Sequence, residues 1–260
     1  MSGHPRRQRA PVAIAALLLL VIVVVVGGVW LAFFRDSAQP ASIAEALAAY
    51  RERAERGTTR IPSGVYVYAT EGQESVDVLG GARHNYPPRS TITVTAADCG
   101  TTLRWDVLRG RSTAWTTCTD DGGETLAAVA ERHRFFGRTE HTDYTCSGTV
   151  ARPAEPDPGM TWKVACDTDN GIVERGTGTV ISLTELPVAG APVPVAHIRF
   201  RTTFTGSTRG ATTRDLWVER ETGLPVRVRL STTTVNGSPI GDVTYRELAQ
   251  LDLVSLTPRR

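Results

Sequence analysis

The sequence predicts a mainly β, α+β protein: an N-terminal transmembrane helix, a short amphipathic helix, and then a curved antiparallel meander or half-barrel carrying two disulfides. Three observations predict it. Val12–Phe34 is an almost unbroken apolar run, the hydrophobic period switches from 3.6 to 2 after Pro62, and four cysteines fall at positions that hairpins would bring together.

The apolar run comes first. As a helix rising 1.5 Å per residue it covers the roughly 30 Å hydrocarbon core of a bilayer. Arg6, Arg7 and Arg9 precede it, while Arg35 and Asp36 cancel after it. The positive-inside rule then places residues 1–10 in the cytoplasm, 11–34 in the lipid bilayer and the remainder on the extracytoplasmic side of a single-pass cell-membrane protein. A cleaved signal peptide is the rival reading. It calls for an apolar stretch of about 7–15 residues and a small-x-small site, and Arg35-Asp36-Ser37-Ala38 offers none.

Residues 35–60 read as a linker and an amphipathic helix. Ser42-Ile43-Ala44-Glu45 has the capping-box form, in which the serine oxygen accepts from the N3 amide and the glutamate reaches back to the cap. Ile43, Leu47, Tyr50 and Ala54 follow at helical spacing, and Gly57 closes the segment.

Residues 61–256 form the β-rich extracytoplasmic domain. Val65, Val67 and Ala69 alternate with Tyr66 and Tyr68; Leu103, Trp105 and Val107 alternate with Arg104 and Asp106. Short alternating runs bounded by Gly, Pro, Asn and Asp are the mark of an antiparallel meander. Glu124–Phe136 is the exception: Leu126, Val129, Ala130 and His133 fit helical spacing, so a helix is expected there.

Two hairpins follow from arithmetic. With Arg109-Gly110-Arg111 as the turn, Trp105 faces Trp115 and Cys118 faces Thr102, near Cys99. Cys146 and Cys166 are equidistant from Pro156, inside the turn-forming Pro153–Gly159. The registers favour Cys99–Cys118 and Cys146–Cys166 among the three connectivities four cysteines allow. Disulfides persist in oxidising compartments, in agreement with an exported domain.

Charge excludes one class of function. The formal net charge is +2, and of 29 basic residues three sit before the apolar run, leaving 26 against 27 acidic ones. Such a near-neutral body gives no field for a phosphate backbone, so no nucleic-acid partner is expected. Motifs for catalysis, cofactors and metals are likewise missing. Gly206-Ser207-Thr208-Arg209-Gly210 has its serine one place early for a hydrolase elbow. Asp167-Thr168-Asp169-Asn170-Gly171 starts like a calcium loop but lacks the closing glutamate, and Asn170-Gly171 reads better as a type I′ turn. Glu131-Arg132-His133 and Glu140-His141 pair acids with histidines at differing spacings; these histidines, with His84 and His197, read as surface or core residues.

The most distinctive stretch is Asp215-Leu216-Trp217-Val218-Glu219-Arg220-Glu221-Thr222-Gly223-Leu224-Pro225-Val226-Arg227-Val228. It resembles a hairpin of the Lol/LppX-like superfamily of lipoprotein carriers and lipid-binding lipoproteins. The whole chain is also similar to uncharacterised single-pass envelope proteins of GC-rich Gram-positive bacteria. The superfamily resemblance implies a half-barrel wrapped around helices with an apolar cavity for acyl chains. The expectation for function is a non-enzymatic envelope domain with an interaction or scaffold role, whose partner is an envelope protein; the alternative is a module that binds a lipid or other hydrophobic ligand.

Overall fold

A computed structural model of the chain describes residues 19–28, 38–53, 59–120, 123–238 and 241–260. After a helix at Ile43–Arg53 come thirteen strands: β1 Gly64–Val76, β2 Ala82–Asn85, β3 Arg89–Ala97, β4 Gly100–Leu108, β5 Arg111–Asp120, β6 Gly123–Phe135, β7 Arg138–Pro153, β8 Thr161–Asp167, β9 Ile172–Val188, β10 Ala191–Gly206, β11 Thr208–Glu219, β12 Pro225–Ser238 and β13 Gly241–Leu253.

The expected half-barrel is in fact a closed barrel. From β3 to β13 each strand pairs antiparallel with the next. The last strand then returns to the first, from Tyr68↔Leu253 to Val76↔Tyr245. β3 takes the lower part of the other edge of β1 (Gly64–Ala69) and β2 its upper part (Gln73–Val76). Closure gives every strand from β3 to β13 a neighbour on both sides, the β7–β8 contact being the shortest with only Thr145↔Asp167 and Cys146↔Cys166 paired, which leaves few of the exposed backbone groups that an open sheet must protect. Nor does the sheet wrap around a helix: Ile43–Arg53 lies against β1 and β3 on the outer wall. Its capping box forms as expected, with Glu45 N donating to Ser42 Oγ (3.0 Å) and Ser42 N to Glu45 Oε2 (3.3 Å). Arg109 ties the helix to the wall through Glu45 at 2.6 Å.

The expected transmembrane helix over 11–34 is corrected as well. Among the described residues no helix is long and apolar enough to cross a membrane. Of that stretch, residues 19–28 are helical and largely exposed, and the remainder, with residues 1–10, lies outside the described residues. The described length rises only about 15 Å, half of a hydrocarbon core.

Two local expectations also change. Glu124–Phe136 is not a helix but most of β6, whose register against β7 shifts between Leu126 and Ala128. An extra residue there separates Leu126 from Val129 by three, which imitates a helical period in a strand. In the β4–β5 hairpin Arg111 already faces Leu108, so the turn is Arg109-Gly110, and a shift between Asp106 and Leu108 moves the pairing once more; Trp105 then faces Thr113 and Trp115 faces Leu103. Cys118 then faces Gly100, beside Cys99, and the Cys99–Cys118 disulfide forms. Cys146 faces Cys166 and is bonded to it.

The two ends of the barrel differ. Where β1 begins and β13 ends, Tyr66, Tyr68, Val94, Leu224, Val226 and Leu253 form one buried apolar cluster. The Tyr68 hydroxyl is satisfied there by Pro225 O at 2.6 Å. The turns β6–β7, β8–β9 and β10–β11, with the end of β12, rim the other end, and the interior beneath them is not filled.

Candidate functional site: the barrel lumen

Twelve strands enclose more space than side chains alone can fill, in contrast to eight-stranded barrels. The lumen holds a cavity of about 1220 Å³ that reaches the rim at Phe136, Asn170, Ser207 and Gly237. Alternation along each strand puts one residue in two on this surface. Trp105, Trp115, Val129, Tyr144, Phe204 and Leu230 supply apolar wall; Thr113, Thr142, Thr212, Thr232 and Thr234 supply hydroxyls.

One wall carries a buried charged cluster. Glu74 on β1 and Glu247 on β13 are directly opposed in the closing register, a like-charge arrangement that destabilises a sheet unless it is compensated. Arg111, at the start of β5, compensates it. Its Nη2 and Nε bind Glu247 at 2.8 and 3.1 Å, and its Nε lies 3.8 Å from Glu74. Arg111 Nη1 donates to Thr113 Oγ1 (2.6 Å) and Ser112 O (2.9 Å). All three ionic side chains are at most 2% exposed, so no water screens them.

Two histidines and two tyrosines complete the cluster. His84 Nδ1 is 2.9 Å from Glu74 Oε1, and His133 Nδ1 is 3.3 Å from Glu74 Oε2. The other nitrogen of His133 lies 3.9 Å from Glu131, so a carboxylate flanks each side of the ring. The Tyr245 hydroxyl lies within hydrogen-bonding reach of both Glu74 (3.2 Å) and Glu247 (2.9 Å), and Tyr86 donates to Glu247. Aromatic stacking fixes these rings: His84 lies flat on Phe135 at 4.5 Å, and Tyr245 meets His133 edge-on at 4.9 Å.

Charge states follow from this packing. Burial opposes ionisation of Glu74, but hydrogen bonds from His133 and His84 and the charge of Arg111 outweigh it and hold the carboxyl down at about 2. Glu131 is also held at about 2, against burial, by His133 and Arg111. His133 is pushed down by burial and by Arg111, yet Glu131 and Glu74 raise it on balance. Burial and Glu247 push the Tyr86 and Tyr245 hydroxyls well up, so both remain donors. Chemically, the wall is a self-satisfied ion network: its acids and bases are spent on each other. Among the described residues, no group of three or more His, Cys, Asp or Glu is placed to hold a metal ion.

Elsewhere in the lumen stands a cation of a different kind. Arg214 on β11 lies between two aromatic rings, 5.7 Å from the centre of Trp115 and 5.6 Å from that of Phe200. Its Nε and the indole nitrogen of Trp115 are buried with no hydrogen-bond partner among the described residues.

The residues singled out by sequence divide accordingly. Glu131, His133, Glu140 and His141 all line the lumen, the last two near its rim, where Glu140 pairs with Arg138 at 3.6 Å. His84 joins the cluster, but His197 does not: it binds Asp215 at 2.6 Å and stacks on Trp217 at 4.1 Å. Trp217 is also flanked by Arg227 and Arg229 (5.9 and 5.5 Å), so Asp215 and Trp217 of the distinctive stretch act as structural pairings. The rest of that stretch is a turn. The Glu219 carboxylate accepts from the amides of Glu221 (2.8 Å) and Thr222 (2.6 Å), Gly223 takes φ 86°, and Leu224 is buried at the filled end. Asp167 pairs with Arg175 at 2.8 Å, and Asn170-Gly171 does turn the chain; only Gly171 has positive φ, so the turn is not type I′. Sequence reasoning missed Glu74, Arg111, Glu247, Tyr245 and Arg214 altogether.

No protein-family model and no curated protein matches the chain. Among solved structures the chain is similar to the hypothetical lipoprotein YmcC from Escherichia coli (K12). The two are 13% identical over 73% of this chain and 86% of that one, with a TM-score of 0.34. None of the comparisons supports the likeness to envelope proteins of GC-rich Gram-positive bacteria.

Proposed function

We propose that the barrel is an extracytoplasmic container that binds one largely apolar small molecule in its lumen and acts by binding rather than by chemistry. The observation that carries this reading is the cavity of about 1220 Å³, in which aromatic and aliphatic wall alternates with hydroxyls and a charged cluster, open at one rim. Ligand sites are concave and mostly apolar, with a few placed polar groups, and their usual volume is about 300–1,000 Å³. A scaffold domain would instead fill its interior to the density of a protein core. The two disulfides support an oxidising compartment.

The test is native mass spectrometry of the full chain purified under mild conditions, followed by titration with the neutral dye N-phenyl-1-naphthylamine. The expected result is a co-purifying apolar molecule, or saturable dye binding at one site per chain. A clean apo mass together with no saturable dye binding would sink the proposal.

A further inference from the structure

We propose that Arg214 anchors an acidic head group, so that the occupant of the lumen is an anionic amphiphile with a carboxylate or phosphate at one end. This rests on the container reading and deepens it.

The argument starts from the contrast between the two lumenal arginines. Arg111 spends its guanidinium on Glu247, Thr113 and the Ser112 carbonyl. Arg214 makes no hydrogen bond or ion pair with any described residue, and its Nε is buried away from solvent. A buried donor left unmade costs about 1–3 kcal/mol, and more when charged; Arg132, Arg152 and Trp162 carry such donors too, but of these arginines only Arg214 lines the cavity. The indole N–H of Trp115, whose ring faces Arg214, is a second buried and unpaired donor. Both groups can only donate. Arg214 lines the cavity, and its guanidinium fork suits carboxylate and phosphate alike.

Preorganisation strengthens the case. Trp115 and Phe200 hold the guanidinium between them, so little side-chain freedom remains to be lost when an anion binds. The carboxylates whose charge Arg214 feels are Glu131 and Glu174. Glu131 is committed to His133 and Arg111, and burial raises Glu174 against the pull of Arg214. Apolar wall at Phe204, Leu230 and Val228 then lies beside a polar anchor, as an amphiphile requires.

The test uses the full chain and three probes of one chain length: hexadecanoic acid, hexadecyl phosphate and hexadecan-1-ol. Each displaces the neutral dye. In the wild type, at least one acid should bind on the order of 10–100-fold tighter than the alcohol, the scale of a charge-assisted hydrogen bond. Whichever acid binds better identifies the head group. R214Q should bring acid affinity down to that of the alcohol, and R214K should retain part of the preference. Equal affinity for all three probes in the wild type overturns the anchor while leaving the container intact. Failure of all three to bind while the dye still binds overturns the anchor, and failure of the dye as well, with a clean apo mass, overturns the container itself. The wild-type comparison stands alone if R214Q fails to fold.

Discussion

Arg111 and Glu247 meet across the upper lumen, guanidinium to carboxylate at 2.8 and 3.1 Å, and join β5 to the strand that closes the barrel. The pair sits where Glu74 and Glu247 would otherwise repel across the closing register. Breaking a buried ion pair by removing one partner typically costs about 3–5 kcal/mol, because the other charge is stranded. R111M should therefore lower unfolding stability by roughly that amount. R111M/E247L, which removes both charges, should regain much of it. Urea unfolding of the three proteins checks this, and a double variant as unstable as the single would contradict the account.

Acid should loosen the same wall. Glu74 is held at about 2, far below its ordinary 4.5, so its contribution is present above pH 4.5 and is lost as pH falls towards 2. The linkage is on the order of 3 kcal/mol for this nearly unexposed group. His133 has the opposite sign. Its raised value means that its contribution is complete below pH 6.5 and fades as pH climbs past the raised value. Stability should thus decline on both sides of mildly acidic pH. In E74Q the acid limb should become shallower between pH 4.5 and 2, with Glu131 supplying what remains, as read from thermal melts across pH.

Both disulfides staple hairpins next to barrel strands, with sequence separations of 19 and 20 residues. A loop of that size is worth about 3 kcal/mol in the chain-entropy account. C146S/C166S should therefore unfold at markedly lower denaturant than the wild type, with C99S/C118S following the same direction. An unchanged urea midpoint in both variants would show that closure of the sheet, not the staples, carries stability.

What could be read from the chain was local. The capping box at Ser42–Glu45 and the Cys146–Cys166 pairing depend on residues close in sequence, and both form. Closure was invisible because the pairing of β1 with β13 joins opposite ends of the domain, and alternation alone does not say whether the last strand finds the first. The lumenal cluster was hidden for the same reason: Glu74, Arg111 and Glu247 come from three distant segments. Arg111 looked like a turn residue, and it does begin a strand beside a turn. Glu131 and His133 stand two apart, which on a strand puts both on one face. The register shift at Leu126 gave that segment a helical rhythm, and the shared face was lost with the strand. Two positive-φ turns, Phe136-Gly137 and Ala189-Gly190, lack the asparagine that usually announces them.

Capacity itself can be tested by filling the space. Thr232 on β12 lines the cavity, half-buried, with its hydroxyl 2.9 Å from that of Thr212. Its side chain borders the cavity, beside Glu247 on β13 and Thr212 on β11. An indole there takes room from a ligand without displacing core side chains. Overpacking a filled core costs about 1–3 kcal/mol, whereas growth into a void avoids that strain. T232W should therefore keep a thermal midpoint near that of the wild type while losing most of its affinity for the neutral dye and for hexadecan-1-ol. If T232W binds both as well as the wild type does, the ligand does not lie in the lumen. If it unfolds much earlier, the space above the apolar cluster is already filled.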